Sequence, residues 1–294
     1  MRIYKSRYIP FLLLLPAVII VCGFTIPFMV GVYYSLLKYN LIYAHLRKFA
    51  GFYNYIRMFR DSAFWYFLYF TGLYTLLCVG IELLLGLAIA LLLNKEVKGI
   101  RFFRTLIVFP LILPPVLSAL IWKMMMAPDA GVINHLLKSI HLPQLVWLGS
   151  KNIVTFSLAL IDTWIFTPFV ALILLAGLQG LPVTCYEAAT VDGASGWVMF
   201  KEITLPLLTP YIWICVLFRG VQSLKMFDVI YTATTGGPGF ITTNLHIRVY
   251  YNMFRWHNVG LAFSYSIILV IIVWLFSRIV IWRWLKSVRA KRGA

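Results

Sequence analysis

The sequence predicts an all-α membrane protein: six transmembrane helices, both termini on the cytoplasmic side, and a cytoplasmic two-helix loop between the fourth and fifth spans. Three observations carry this. The chain is 62% hydrophobic and only 12% charged, with a mean hydropathy of +0.89, whereas soluble domains carry roughly twice that charged share. Stretches at 9–33, 68–93, 105–126, 153–177, 207–227 and 259–282 are apolar enough to cross a bilayer, which takes about 20 residues. The Lys and Arg residues flank these stretches, 13 on the side of the N-terminus against 9 on the other, as expected where positive charge marks the cytoplasm. The whole chain, 1–294, thus reads as a single transmembrane domain.

The same placement explains the net charge of +17 without nucleic acid. The four cysteines (Cys22, Cys78, Cys185, Cys215) are scattered and lack a CxxC pattern, so neither a disulfide framework nor a metal site is expected. Patterns for a metalloprotease, a nucleophile elbow, a P-loop or an acidic transferase cluster are missing as well, and no catalytic residue or metal ligand is expected. His45, His135, His141, His246 and His257 all fall in outside loops as solvated residues.

Arg2, Lys5 and Arg7 precede an apolar run to Leu37, too long for a cleaved signal sequence and expected to be a retained span. The 34–63 loop mixes Arg47, Lys48, Arg57 and Arg60 with many aromatics, which suits a helix lying on the membrane surface. Pro16, Pro27, Pro110, Pro114, Pro115 and Pro168 lie inside spans, where proline is tolerated if neighbouring helices satisfy the freed carbonyls. They fit ordinary membrane helices and hinged ones equally.

Ionisable residues inside a membrane are functional candidates by default. Asp162 in the fourth span and Arg219 in the fifth lie roughly 22 Å and 20 Å from the cytoplasmic end at 1.5 Å per residue. Asp162, Phe166 and Phe169 share one helix face; Arg219, Gln222, Ser223 and Met226 share another. Aromatic surface beside directional polar groups suits a polyhydroxylated ligand, and a plain Asp162–Arg219 pair within the bundle is the structural alternative. Glu82, in the second span, is expected to face the bundle interior.

The cytoplasmic loop reads EAATVDGASGWVMFKEITLPLLTP from Glu187 to Pro210. Thr184 and Glu187 have capping-box spacing just after Pro182. Gly193 and Gly196 suit a helix end, and Trp197, Phe200 and Ile203 recur at helical spacing before Pro206, which can open a fresh helix. The expectation is helix, glycine bend, helix.

This loop resembles the EAA loop of permease subunits of binding-protein-dependent ABC importers: Glu187-Ala188-Ala189, Gly193 six residues after the glutamate, then Ile203, Leu205 and Pro206. The likeness extends to DTWIFTPF (Asp162 to Phe169), FDVIYTATTGGPG (Phe227 to Gly239) and the 49–65 segment, and points to the carbohydrate branch and its maltose/glycerol-phosphate-type first permease. The resemblance implies a multi-pass protein of a bacterial or archaeal cytoplasmic (inner) membrane, paired with a second related permease, two ATPase subunits and an extracytoplasmic solute-binding protein. It implies no bound cofactor, ATP and Mg being used by the partner ATPase. The coupling set would be Glu187, Ala188, Ala189, Asp192, Gly193, Ile203, Leu205 and Pro206. Sugar contacts would fall at Asp162, Ile165, Phe166, Phe169, Arg219, Gln222, Ser223 and Met226, and the binding protein would dock at Gly236, Gly237 and Pro238. The maltose-type permease is uncharged at the positions of Asp162 and Arg219, and Lys225 adds a further cation. An acidic substrate (a uronic-acid oligosaccharide or a sugar or polyol phosphate) and a neutral sugar beside an Asp162–Arg219 pair both fit. The maltose permease's long extra periplasmic domain and extra N-terminal spans are not expected here. The other class considered is a secondary transporter driven by an ion gradient through Asp162 and Glu82, for which an inverted repeat is lacking.

Overall fold

The computed structural model describes residues 9–95 and 97–292; Arg2, Lys5 and Arg7 lie outside them. Among the described residues, five helices are long and apolar enough to cross a membrane, or six spans if one sharply bent pair counts as a single crossing. The chain forms two compact units, one comprising the chain up to Phe64 with Arg248–Ile268, the other Trp65–Ile247 with the chain from Leu269.

In the first unit, α1 (Ile9–Ser35) leads into a short antiparallel ribbon, Leu37–Lys38 (β1) with Lys48–Phe49 (β2). The expected amphipathic helix of the first loop is α2 (Tyr53–Arg60). Its inward residue Asn54 donates to the carbonyls of Ser35 and Leu37, both at 2.8 Å, which caps the end of α1 with side-chain donors. Gly260 is required here, since a Cβ would meet the Leu37 carbonyl at 2.1 Å.

The second unit is built around α7 (Val154–Gln179). Its apolar window is 72% buried, against 33% for α3 (Ser62–Leu93) and 28% for the helix that follows the 184–206 loop. A span apolar on every side is expected to sit inside a bundle, and α7 packs against α4 (Ile100–Ile112) and α10 (Leu205–Leu224). Gly86 on α3 lets that helix meet Val170 closely, and Gly220 on α10 faces the Phe276 ring, where a Cβ would lie only 2.2 Å away. Small residues at such crossings let backbones approach where lipid offers no hydrophobic drive.

The predicted third span, 105–126, is not one helix. It breaks into α4 and α5 (Pro115–Met125), which meet at 93°. Leu113, ahead of two prolines, takes extended backbone (ψ 133°), because the proline ring disfavours helix at the residue before it. Pro115 then opens α5, where its missing N–H is harmless. The segments expected as loops carry short helices: α6 (Val132–Ser139), α11 (Asp228–Thr234) and α12 (Leu245–Tyr250). The last helix is α13 (Val259–Arg292).

Between α7 and α10, the predicted two-helix loop forms with two corrections. Helix α8 (Val183–Val191) already starts after Pro182, so Thr184 lies inside its first turn and no side chain caps it; the expected Thr184–Glu187 capping box does not form. Gly193 does adopt the left-handed conformation (φ 73°). Its N–H reaches the Thr190 carbonyl, and the Ala194 N–H reaches that of Ala189, which is the Schellman pattern. Gly196 instead starts α9 (Gly196–Met199), capped by Ser195, whose hydroxyl accepts from the Val198 N–H at 3.4 Å. Nor does Pro206 open a fresh helix. From Gly196 the helix runs on to Leu224 through a π-turn at Phe200–Thr204, where the Leu205 N–H bonds the Phe200 carbonyl. Such a wide turn just ahead of a proline accommodates the ring inside a helix.

Candidate functional site

Arg219 is fully buried and uses its planar fork on three helices at once. Its Nε and Nη2 donate to the two carboxylate oxygens of Glu82 at 2.5 and 2.6 Å, and Nη2 also to Asp162 Oδ1 at 2.7 Å. The Tyr74 hydroxyl donates to Asp162 Oδ2 at 2.5 Å, and the guanidinium lies 4.0 Å from the centre of the Phe166 ring. Glu82 and Asp162 are buried as completely as Arg219. Two carboxylates face one guanidinium, so the cluster has no surplus positive charge. The Asp162–Arg219 pair expected as the structural alternative is present, and Glu82 is its stronger, bidentate arm.

Tyr74 had no sequence signal of its own, being one tyrosine in an apolar run. It lies eight residues before Glu82, about two turns, and therefore on the same face of α3.

Beside this cluster, at the end of α10 remote from the 184–206 loop, is a cavity of about 920 Å³. Of the predicted contact residues, Phe166, Phe169, Gln222 and Met226 line it; Asp162, Ile165, Arg219 and Ser223 do not. The Ser223 hydroxyl is buried without a hydrogen-bond partner among the described residues. Arg219 governs the cavity indirectly: Nη1 donates to Gln222 Oε1 at 2.9 Å, which fixes that amide and leaves its NH₂ as donor. Aromatic wall is supplied by Phe166, Phe169, Phe218 and Phe227, and polar groups by Gln222, Lys225, Asp228 and His246. With one lysine and one aspartate, the lining has no net charge while His246 is neutral. Of the two readings the sequence leaves open, the Asp162–Arg219 pair is present, and Arg219 does not line the cavity.

His246 is not simply a solvated loop residue. A carbonyl can only accept, so His246 Nδ1–H donates to the Lys225 carbonyl, 2.7 Å away, and Nε2 has no hydrogen-bond partner among the described residues. Its helix is held in place by Asn244, whose amide bonds the Met226 carbonyl and whose Oδ1 accepts from the Ile247 N–H at 2.8 Å.

The 184–206 loop is open to solvent. Glu187, Ala188, Asp192, Gly193 and Pro206 are exposed, and Ala189, Ile203 and Leu205 are half-buried. Glu187 has no partner among the described residues, while Val191 (88% exposed) and Trp197 (70%) stand uncovered. The loop is nevertheless stiff: the Schellman turn closes α8, and the Tyr186 and Thr204 hydroxyls join α8 to the π-turn at 2.9 Å. In the 236–240 turn Gly236 is buried, Gly237 and Pro238 are half-buried, and Gly239 and Phe240 form the exposed tip. Thr242 and Thr243 hydroxyls donate to the Gly237 and Gly236 carbonyls and fix that turn.

Residues 82–285 match the profile of the family described as binding-protein-dependent transport system inner membrane component. The chain is 34% identical to the trehalose/maltose transport system permease protein of Thermococcus litoralis, over 93% of this chain and 92% of that one. It is 35% identical to the sulfoquinovosyl glycerol transport system permease protein of Agrobacterium fabrum, over 97% and 92%. Among solved structures, a chain of a bacterial ABC transporter involved in import of the acidic polysaccharide alginate superposes with a TM-score of 0.83 at 20% identity, covering 95% of this chain and 96% of that one.

Proposed function

The chain belongs to the family of binding-protein-dependent transport system inner membrane components, and on that premise we propose that it is the transmembrane subunit of an ATP-driven importer of a sugar or oligosaccharide. Its spans number six, with the bent α4–α5 pair as one, and both termini face the cytoplasm of a bacterium or archaeon. The subunit does not itself hydrolyse ATP and binds no cofactor. It works with a second related permease, two ATPase subunits that use ATP and Mg, and an extracytoplasmic binding protein that docks at the 236–240 turn.

One observation carries the mechanism. A stiff, exposed loop with an unpaired glutamate continues without a break into the helix that bears Arg219, Gln222 and the cavity wall. Glu187 and Asp192 offer polar contacts to the ATPase subunit, Ala188 and Ala189 allow close approach, and Gly193 sets the turn. Movement of the loop on ATP binding displaces α10 as a rod, and Arg219 transmits the displacement to α3 and α7. The cavity then opens alternately to the two sides.

The cavity itself supports the cargo class: sugar rings stack their apolar faces on Phe166, Phe169, Phe218 and Phe227, and hydroxyls pair with Gln222, Lys225, Asp228 and His246. A neutral saccharide fits the balanced charge better than an acidic one. In proteoliposomes holding the whole transporter, a uronic-acid oligosaccharide present in excess should compete poorly against uptake of its neutral counterpart. Strong inhibition by the acidic sugar would refute the neutral assignment. Phe169→Ala should raise KM on the order of tenfold, as expected for losing about 1–1.5 kcal/mol of ring contact.

A further inference from the structure

A second cleft, of about 860 Å³, lies where α3 ends, α4 begins and α7 runs into the 184–206 loop. Lys95, Lys98, Arg101 and Arg104 all line it, none of its described lining residues is acidic, and none of these four cations is ion-paired among the described residues. The 94–104 segment carries these four cations against one carboxylate, Glu96, and an excess of like charge around one recess favours an anion among them. Arg104 marks the spot. Its Nη2 donates to the Leu93 carbonyl at 2.8 Å, while its Nε is buried with no hydrogen-bond partner among the described residues. A buried donor left unmade is costly, and an oxyanion in the fork of the guanidinium is the acceptor that geometry prefers. The other wall is Tyr186 and Thr204, the pair that joins α8 to the π-turn.

We propose that this cleft binds a phosphate-bearing anion, anchored by Arg104 and held at the mouth by Lys95, Lys98 and Arg101. The ligand bridges the start of α4 and the base of the 184–206 loop. Two sources share this chemistry. The apolar side chains interleaved with the cations, Val97 and Ile100 on one wall and Leu181 and Val183 on the other, accommodate the glycerol and first methylenes of an anionic phospholipid, and basic pockets between spans on the cytoplasmic side bind such headgroups. Free inorganic phosphate satisfies the same donors.

The test uses the complete transporter, purified in detergent. Phosphatidylglycerol and phosphatidylcholine are titrated with native mass spectrometry as readout, and inorganic phosphate is titrated separately by calorimetry. Lys98→Gln/Arg101→Gln leaves the Arg104–Leu93 bond intact and so guards against misfolding; Lys138→Gln, a lysine outside the cleft, controls for lost charge. We expect wild type to retain phosphatidylglycerol over phosphatidylcholine, and the double variant to bind it about thirtyfold more weakly, from about a fivefold loss for each of the two cations. Phosphate binding that is lost in the double variant, without preference between the lipids, assigns the same cleft to the free ion. Equal behaviour of wild type, double variant and control toward both probes overturns the proposal.

Discussion

Arg219 is the residue on which the site turns. Its three partners come from α3, α7 and its own helix, so it organises the cavity without lining it. Breaking a buried pair strands a charge in the bundle, whereas replacing the whole set with apolar residues removes the charges together. Glu82→Leu or Arg219→Met alone should therefore cost about 3–5 kcal/mol of stability, read as a lowered Tm in detergent. The triple variant Glu82→Leu/Asp162→Leu/Arg219→Met should recover most of that loss yet still transport poorly, because Gln222 loses its positioning donor. A triple variant no more stable than the singles would show that the cluster is not acting as one unit. The sequence made Asp162 and Arg219 legible, since charges in apolar runs stand out. It left Glu82 only as an inward-facing charge: depth along two helices can be counted from a common end, but which carboxylate wins the arginine depends on packing. The position of His246 depends on Asn244 and the turn at Met226, which carry no periodic signal.

At the scale of elements, a long apolar helix covers each expected stretch other than 105–126, because bilayer thickness sets a minimum length. The helices at 62–93, 196–224 and 259–292 run past the expected bounds by six to eleven residues at one end. Hydropathy did not register the 93° break in 105–126, since a sliding count of apolar residues is blind to direction; Pro114-Pro115 held that information. In the 184–206 loop, Gly193 was legible as a left-handed residue, while the capping box failed because Pro182 starts α8 two residues too early for Thr184 to cap it. The Schellman turn gives a graded prediction. Gly193→Ala places a Cβ on a left-handed residue at a cost of about 1–2 kcal/mol, so ATP-driven uptake should fall several-fold with the protein still in the membrane. Gly193→Val, with its branched Cβ, should fall further. Equal uptake by the two variants would separate the turn from coupling.

For the whole molecule, the informative surface is what the chain leaves uncovered. The apolar window of α1 is entirely unburied, and Val191 and Trp197 project from the 184–206 loop. On a span such surface meets lipid or another helix, whereas uncovered apolar side chains on a loop rimmed by polar groups mark an interaction site. Trp197→Ala should weaken co-purification of the ATPase subunits while leaving membrane insertion unchanged, measured by pull-down from solubilised membranes. A full complement of ATPase on the variant would remove Trp197 from that interface.

The central claim is that ATP drives this subunit through the loop that continues into α10. The most direct measurement is uptake of labelled saccharide by proteoliposomes containing the complete transporter, with wild-type chain or Gly193→Pro, with ATP or without, and with the ATPase subunits omitted in a further arm. Accumulation is expected only for wild type with ATP and ATPase present, and none for Gly193→Pro despite normal assembly into the bilayer. Wild-type uptake by Gly193→Pro, or uptake driven by an ion gradient without the ATPase subunits, would contradict the claim.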